Sequence, residues 1–387
     1  MQTLPLTSIG INGFRGLRSL RLDGVGHVNI LVGGNNSGKT SVLEAISLIC
    51  QPYNPEEWLS MIRRRDFGGL DETRLQSLRW SFTQQGSLAD PEMMLEADCE
   101  FECSGRFPLN TLRVRYREFI GEPAPEERRR SQGAYRSSEP DIEEPMRGGE
   151  LSYFPDWKSG DKLDLFSGRP YDGMESLLIL RLWEGLMTPR FARPRRGPRL
   201  NTETLTPYSY QLNRVQARSY SSQVSRGNLS HAIELLRDFD PEVEGLELAS
   251  IYGDRPAIYI KHKKLGFAPL SIFGDAMRRS VLLAATLPSL KGGGVLLIDE
   301  VEVGIHVGAL RRVFKWLVDS AKELNVQVFV TTHSLEALDA LLSARDESEN
   351  EGIVAFHLAQ SAEGTDCKRY SGDLLQRLRF ERGLDVR

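Results

Sequence analysis

Apolar and polar positions alternate in short blocks at the start of the chain. Ile9, Ile11 and Phe14 form one block and Leu20 and Leu22 the next, with Arg15-Gly16 between them. A period of two predicts short strands. Val28-Asn-Ile-Leu-Val32 follows as an apolar run and predicts a buried strand ending at Val32. Val42, Leu43, Ile46 and Ile49 then recur at helical spacing, so the order is strand, glycine-rich turn, helix. Residues 51–90 are polar with apolar anchors at Trp58, Leu75, Leu78, Trp80 and Phe82, which predicts short helices. From Met93 to Ile120 the alternation returns, through Leu95, Ala97, Cys99 and Phe101 and then Leu112, Val114 and Tyr116, and predicts a hairpin or meander.

The middle of the chain is less regular. Residues 121–150 hold four prolines, four glycines and clustered charge, the composition of a loop or linker. Met174 to Met187 regains helical periodicity, and Arg190 to Arg199 then places five arginines among prolines, where a helix cannot continue. A helix is predicted at Leu229 to Leu236 and a strand at Ala257 to Ile260. Val295 to Ile298 and Asn325 to Val330 predict two more buried strands, and Tyr370 to Arg387 reads as one amphipathic helix carrying Leu374, Leu375, Leu378 and Phe380. No fixed repeat or sustained heptad pattern is present.

Composition narrows the class. A chain of 387 residues with 40% hydrophobic and 26% charged positions is that of a soluble globular protein of two or three domains, which excludes wholesale disorder. Its 49 basic and 53 acidic residues leave a charge of -4, so any contact with nucleic acid has to be local. Arg190 to Arg199 is the best candidate for DNA or an acidic partner. Arg113, Arg115 and Arg117 share one strand face, where a phosphate-binding stripe and a solvated face both stand open. The start, MQTLPLTSIG, has no signal-peptide pattern, and no apolar run approaches the ~20 residues of a spanning helix, so a cytoplasmic protein without a membrane segment is expected. Cys50, Cys99, Cys103 and Cys367 then read as reduced thiols.

The chemistry concentrates at three strand ends. Gly33-x-x-x-x-Gly38-Lys39-Thr40 is a phosphate-binding loop: its glycines let backbone N–H groups point into one concavity, Lys39 adds a mobile cation, and the Thr40 hydroxyl is placed for Mg²⁺. The apolar run Val295 to Ile298 delivers two adjacent carboxylates. Asp299 suits the Mg²⁺ shell, and Glu300 suits orienting or deprotonating the water that attacks a γ-phosphate. Asn325 to Val330 leads through Thr331-Thr332 to His333, read as a γ-phosphate sensor. Strands of an open α/β sheet bind ligands beside their carboxyl ends, so the three predict one nucleotide site.

Gly33 to Ile46 (GGNNSGKTSVLEAI), Leu296 to His306 (LLIDEVEVGIH) and Phe329 to Leu338 (FVTTHSLEAL) resemble the ABC-type ATPase heads of the RecF, SMC and OLD group. More closely they resemble stand-alone OLD-like ATP-binding proteins of prokaryotes. The resemblance covers residues 5–50 and 265–345 well. It implies an α/β fold, an ABC-type P-loop ATPase head with an antiparallel β subdomain and a largely helical insertion. Residues 1–120 would form the N-terminal half of the head, 121–264 the insertion and linker, and 265–387 the C-terminal half. It also implies that ATP and Mg²⁺ are held by Gly33, Gly34, Asn35, Asn36, Ser37, Gly38, Lys39, Thr40 and Ser41, with Thr40 and Asp299 on the metal and Lys39, Glu300 and His333 catalytic.

Heads of this kind hydrolyse ATP when two of them sandwich two nucleotides, each presenting a signature loop to the other's γ-phosphate. Leu270 to Arg279 is similar to that signature, with Ser271 and Gly274 at matching positions, while Phe273 replaces a usual glycine and Asp275 a usual glutamine. The alternative for Ser271 is an ordinary helix cap. Gln84, Gln85, Gln132 and Gln211 are all open as the glutamine that links Mg²⁺ to the moving lobe, and Arg15 is open as a nucleotide neighbour or a surface residue.

The resemblance implies a slow, regulated ATPase that forms an ATP-dependent homodimer or larger assembly. The segment after His333 is too short for the Toprim nuclease domain of full OLD proteins. This points to a separate effector protein, such as a nuclease, as in two-gene anti-phage systems such as PARIS. A RecF- or SMC-like DNA-repair ATPase is the alternative. A transporter subunit is disfavoured, because Lys39 and Asp299 are too far apart in sequence.

Overall fold

The chain folds as three sheets in the computed structural model, which describes residues 4–65, 74–83, 93–124, 127, 145–158, 178–184, 186, 198–211, 230–250, 257–345, 352–361 and 364–387. The first half holds β1 (Ser8–Phe14), β2 (Leu17–Asp23), β3 (Val28–Val32), α1 (Lys39–Cys50), α2 (Pro55–Arg65), α3 (Arg74–Arg79), β4 (Glu96–Ser104), β5 (Leu109–Gly121), β6 (Met146–Trp157), β7 (Leu178–Trp183) and β8 (Thr202–Leu205). Then come α4 (Ser230–Phe239), β9 (Val243–Ala249), β10 (Ala257–His262), β11 (Gly266–Pro269), α5 (Asp275–Thr286), β12 (Val295–Ile298), α6 (Val307–Leu324), β13 (Gln327–Thr331), α7 (Leu335–Ser343), β14 (Ile353–Gln360), β15 (Thr365–Ser371) and α8 (Gly372–Gln376).

The central sheet runs β15-β14-β3-β13-β12-β8, parallel throughout except at β15. Its inner strands β3, β13 and β12 are buried throughout because both faces are covered. Leu31, Val295, Leu297 and Phe329 face α1 and the antiparallel sheet. Ile30, Val32, Leu296, Ile298, Val328 and Val330 face a second core that includes Leu310, Phe314 and Leu317 of α6. The antiparallel sheet, β2-β1-β4-β5-β6-β7, closes the first core with Phe14, Phe101 and Tyr116. The small sheet β11-β10-β9 packs with α4 and α5 around Leu236, Ile260 and Val281.

Two fully buried amides lock the base of the central sheet. Gln327 accepts from Leu6 N–H at 3.1 Å and donates to the carbonyls of Leu6 and Gly26 at 2.8 and 2.9 Å. Asn29 accepts from Gly26 N–H and donates to the carbonyls of Gly26 and Val328. Buried polar groups must be bonded, so these side chains fix where the N-terminal segment meets β3 and β13.

Four expectations are corrected. Within the span predicted as a helix from Met174 to Met187, Leu178–Trp183 is the strand β7, in which Leu180 and Leu182 point inward while Ile179 and Arg181 face solvent. Pairing with β6 settles a short apolar run that fits either period. The insertion is not largely helical in its described residues, because β6 and β7 extend the antiparallel sheet, β8 joins the central sheet, and β9 and β10 belong to the small sheet. The start of β6 also takes residues 146–150 out of the expected linker. Tyr370 to Arg387 is not one helix, because Tyr370 lies in β15 and α8 passes into a π-helical turn over Arg377–Glu381. Leu375 is buried, while Leu374 and Phe380 are exposed.

The arginine face of β5 is a solvated one. Arg113 pairs with Glu100 and Arg115 with Asp98 directly across the strand register, and Arg117 reaches Glu150. Exposed cross-strand pairs of this kind contribute about 0.2–1 kcal/mol each and leave little net positive charge for a ligand. The thiols of Cys99 and Cys103 turn from the same β4 into the core, and burial pushes Cys103 up to about 11 and Cys50 up to about 12. Among the described residues no helix is long and apolar enough to cross a membrane.

Replacing Gln327 with Leu strands two buried backbone groups, the N–H and the carbonyl of Leu6, while the Gly26 carbonyl keeps its bond from Asn29. It is expected to lower the unfolding free energy by about 2 kcal/mol, read as a reduced urea midpoint at unchanged slope.

Candidate functional site

The phosphate loop connects β3 to α1, and its glycines are required by sterics. Gly33 has φ 140°, and a Cβ there would lie 2.2 Å from the Leu358 carbonyl oxygen. Gly38 has φ 93°, and a Cβ would lie 2.6 Å from Leu17 Cδ2. Neither position admits a side chain without a shift of its neighbours. Gly38 also caps α1 without a side-chain hydrogen bond, so the helix start is open to an anion. Gly34, Asn35 and Asn36 line the exposed rim, whereas Ser37 and Ser41 are buried.

Lys39 is folded into this loop. Its Nζ donates to the carbonyls of Gly33 and Gly34, both at 2.8 Å, and to Ser37 Oγ at 3.3 Å. Burial lowers the ammonium pKa, while Asp299, Glu300 and Glu302 oppose that shift. These acceptors are all uncharged, and a phosphate would offer stronger, charged ones.

Asp299 and Glu300 follow β12 directly, as read from the sequence, and Thr331 at the end of β13 holds both. Thr331 Oγ1 donates to Asp299 Oδ1 at 2.6 Å and accepts from Glu300 N–H at 2.8 Å. Thr40 Oγ1 reaches the same carboxylate at 3.1 and 3.2 Å. A hydroxyl and a carboxylate in contact form the oxygen donor set that Mg²⁺ takes beside phosphates, so the residues present fit that ion. Glu300 has φ 48°, in the left-handed region. Burial raises its pKa, followed by repulsion from Asp299 and Glu302, with His333 and Arg279 opposing. A carboxylate so placed is a better proton acceptor than a free one.

His333 stands exposed after β13, its N–H donating to Glu302 Oε1 at 3.0 Å and its carbonyl accepting from Arg387 at 3.0 Å. Ser271 and Gly274 are both exposed at the head of α5, and a Cβ on Gly274 would meet nothing within 4 Å. Gly274 is the residue that caps α5, and no side-chain cap bond is made there, so Ser271 does not act as the cap. Arg15 is not a surface residue: it lies against Glu44 of α1 at 2.8 Å, and burial lowers its pKa. Gln211 donates to the Tyr210 hydroxyl, which in turn donates to Asp275. Gln84, Gln85 and Gln132 lie outside the described residues, as does the run from Arg190 as far as residue 197.

Sequence reasoning missed several residues here. Thr331 and Glu302 were visible only as neighbours of His333 and Glu300, and Arg279 only as part of the signature helix. Arg65 also pairs with Glu44, at 2.7 Å, and reaches Ser41. A cleft of about 390 Å³ lined by Arg15, Gly16, Arg18, Trp80, Thr83 and Gln360 adjoins the β1–β2 turn, whose Leu17 touches Gly38. The exposed Trp80 ring, read earlier as a helix anchor, forms one wall of it.

A parallel sheet that delivers a phosphate loop, paired carboxylates and a histidine to one edge, with an antiparallel sheet beside it, defines an ABC-type P-loop ATPase head. The chain belongs to the family described as "AAA domain, putative AbiEii toxin, Type IV TA system", whose model matches residues 28–339. It is similar to the uncharacterized protein MJECL11 of Methanocaldococcus jannaschii, with 35% identity over 109 residues, 28% of this chain and 95% of that protein. A Helicobacter pylori protein named ATP/GTP phosphatase is 31% identical over 114 residues, 28% of this chain and 30% of that protein. Among solved structures, the SMC head domain from Thermotoga maritima aligns with 96% of this chain and 99% of its own at 13% identity and a TM-score of 0.45.

Thr331→Val removes one donor and one acceptor from this edge and is expected to lower the unfolding free energy by about 2 kcal/mol by chemical denaturation. Lys39→Met is expected to abolish binding of a fluorescent ATP analogue in a titration that saturates the wild-type chain.

Proposed function

We propose that this protein is a cytoplasmic OLD-like ATPase that binds and hydrolyses ATP in a sandwich of two copies and thereby controls a separate effector protein in anti-phage defence. The observation that carries the reading is the signature loop. Ser271 and Gly274 are exposed at an uncapped helix start with open space around Gly274, which leaves them accessible to a second copy's nucleotide. The family's description as a toxin–antitoxin component supports a protein partner. The acid-paired arginines of β5 give no support to DNA as the ligand of that face.

The residues divide the work as follows. Backbone N–H groups from Gly34 to Thr40 bind the phosphates, and Lys39 transfers from the loop carbonyls to the phosphate oxygens. Thr40 and Asp299 would hold Mg²⁺, which when bound neutralises phosphate charge. Glu300 orients the attacking water and takes its proton. His333 contacts the γ-phosphate, and Ser271 and Gly274 of the second copy close over the same group, adding donors where charge develops. The cleft beside Arg15 and Trp80 offers a cation and an aromatic face to the nucleoside. Closure of the sandwich changes what the effector contacts, because a ligand that binds one arrangement better shifts the population toward it.

The test is the mass of the purified chain with and without Mg-ATP, measured with phosphate release and identification of copurifying protein. Wild type is expected to assemble with ATP. Glu300→Gln is expected to trap that assembly and to slow phosphate release by about 100-fold or more, the scale of a lost general base. A monomer indifferent to ATP in both chains would refute the sandwich.

A further inference from the structure

The signature helix and the acidic edge meet at one side chain. Arg279 lies on α5, five residues beyond Gly274, and is 3% exposed. Its Nη2 donates to the Glu300 carbonyl at 2.7 Å and reaches the Asp299 carbonyl at 3.5 Å. Its Nη1 is buried with no hydrogen-bond partner. Glu302 shows the complementary lack: Oε1 accepts from His333 N–H, while Oε2 is buried and unpartnered. Burial lowers the Arg279 guanidinium to about 10, and Glu302 is the strongest of the groups that oppose the shift. An unsatisfied cationic donor and an unsatisfied carboxylate oxygen are each costly, and the two groups already feel each other's charge.

The Glu300 peptide is therefore held from two sides by different elements. Thr331 of the central sheet fixes its N–H, and Arg279 of α5 fixes its carbonyl. α5 packs against the small sheet through Met277, Val281, Ala284 and Ala285, and Arg279 links the acidic edge to this helix. Its outer end carries the exposed Ser271 and Gly274, and its first turn is tied to Tyr210 through Asp275. The Tyr210 ring also lies 6.0 Å from the Arg279 guanidinium.

We propose that Arg279 is a positioning residue that transmits engagement of the signature loop to Glu300 and, through Glu302, to His333 of the same subunit. The proposal rests on the sandwich described above. A phosphate bound at Ser271 and Gly274 draws α5 toward it. Arg279 then shifts with the helix, sets the Glu300 carbonyl, and brings Nη1 to the free oxygen of Glu302. Each copy thus senses through its own signature loop that its neighbour holds ATP.

The test uses the full chain as wild type, Arg279→Gln and Arg279→Lys. Affinity for a fluorescent ATP analogue, mass with Mg-ATP, melting temperature and phosphate release across protein concentration are measured for each. Arg279→Gln is expected to bind nucleotide within about twofold of wild type and to assemble. Its kcat is expected to fall about 100-fold at unchanged KM and to stop rising with protein concentration, the signature of lost positioning. Arg279→Lys, which keeps the charge and one donor, should recover about tenfold of that loss. A wild-type kcat in Arg279→Gln, or in Arg279→Lys if the glutamine variant does not fold, overturns the proposal. A fall in kcat matched by lost nucleotide affinity and a lower melting temperature also overturns it, because a simple strut behaves that way. A wild-type chain that neither assembles nor hydrolyses ATP overturns the sandwich itself, and the proposal falls with it.

Discussion

Three carboxylates, Asp299, Glu300 and Glu302, emerge within four residues of one buried strand, and their mutual repulsion is the constraint that the surrounding structure answers. Two hydroxyls and two cations do so. Thr40 and Thr331 bond Asp299, Lys39 lies in its field, and Arg279 holds the carbonyls behind it. Each answer comes from a different element, and they converge only because β3, β13 and β12 run parallel in that order and end at one edge. The register of the sheet is thus also the register of the charges.

The balance is deliberately incomplete in chemical terms. Burial lowers the Lys39 pKa and raises that of Glu300, so an incoming polyphosphate would supply the counter-charge that Lys39 lacks and leave Glu300 still more basic. The strands beneath do not share this tension. They are buried on both sides and pinned at their base by Gln327 and Asn29, far along the strand from the polar edge. Rigid footing at one end lets the other end tolerate unpaired groups such as Arg279 Nη1.

Much of this was legible in the chain because the decisive signals are local. A glycine loop between an apolar run and a helical period, or an apolar run ending in two acids, needs no knowledge of distant contacts, and β3, α1, β12 and β13 appeared where expected. The misread segments were those whose form is set by partners. The apolar content of β7 suits a helix or a strand until β6 pairs with it, and β8 is too short and polar to announce itself. The tail changed form because Ser371 caps a helix only after β15 has used the residues before it. The same rule holds at the site: Lys39, Asp299 and Glu300 carry their chemistry in their spacing, whereas Arg279 and Thr331 acquire theirs only from folding.

The four residues of β8 give the middle of the chain a mechanical role. They form the last rung of the central sheet, hydrogen-bonded along β12, and the Leu205 carbonyl accepts from the N–H of Asp299 itself. The head is therefore not two halves with a removable ornament between them, and excising the middle would unlace the strand that carries the acids. Tension arriving along the chain ahead of Thr202 is delivered, through one short ladder, to the carboxylates at its end.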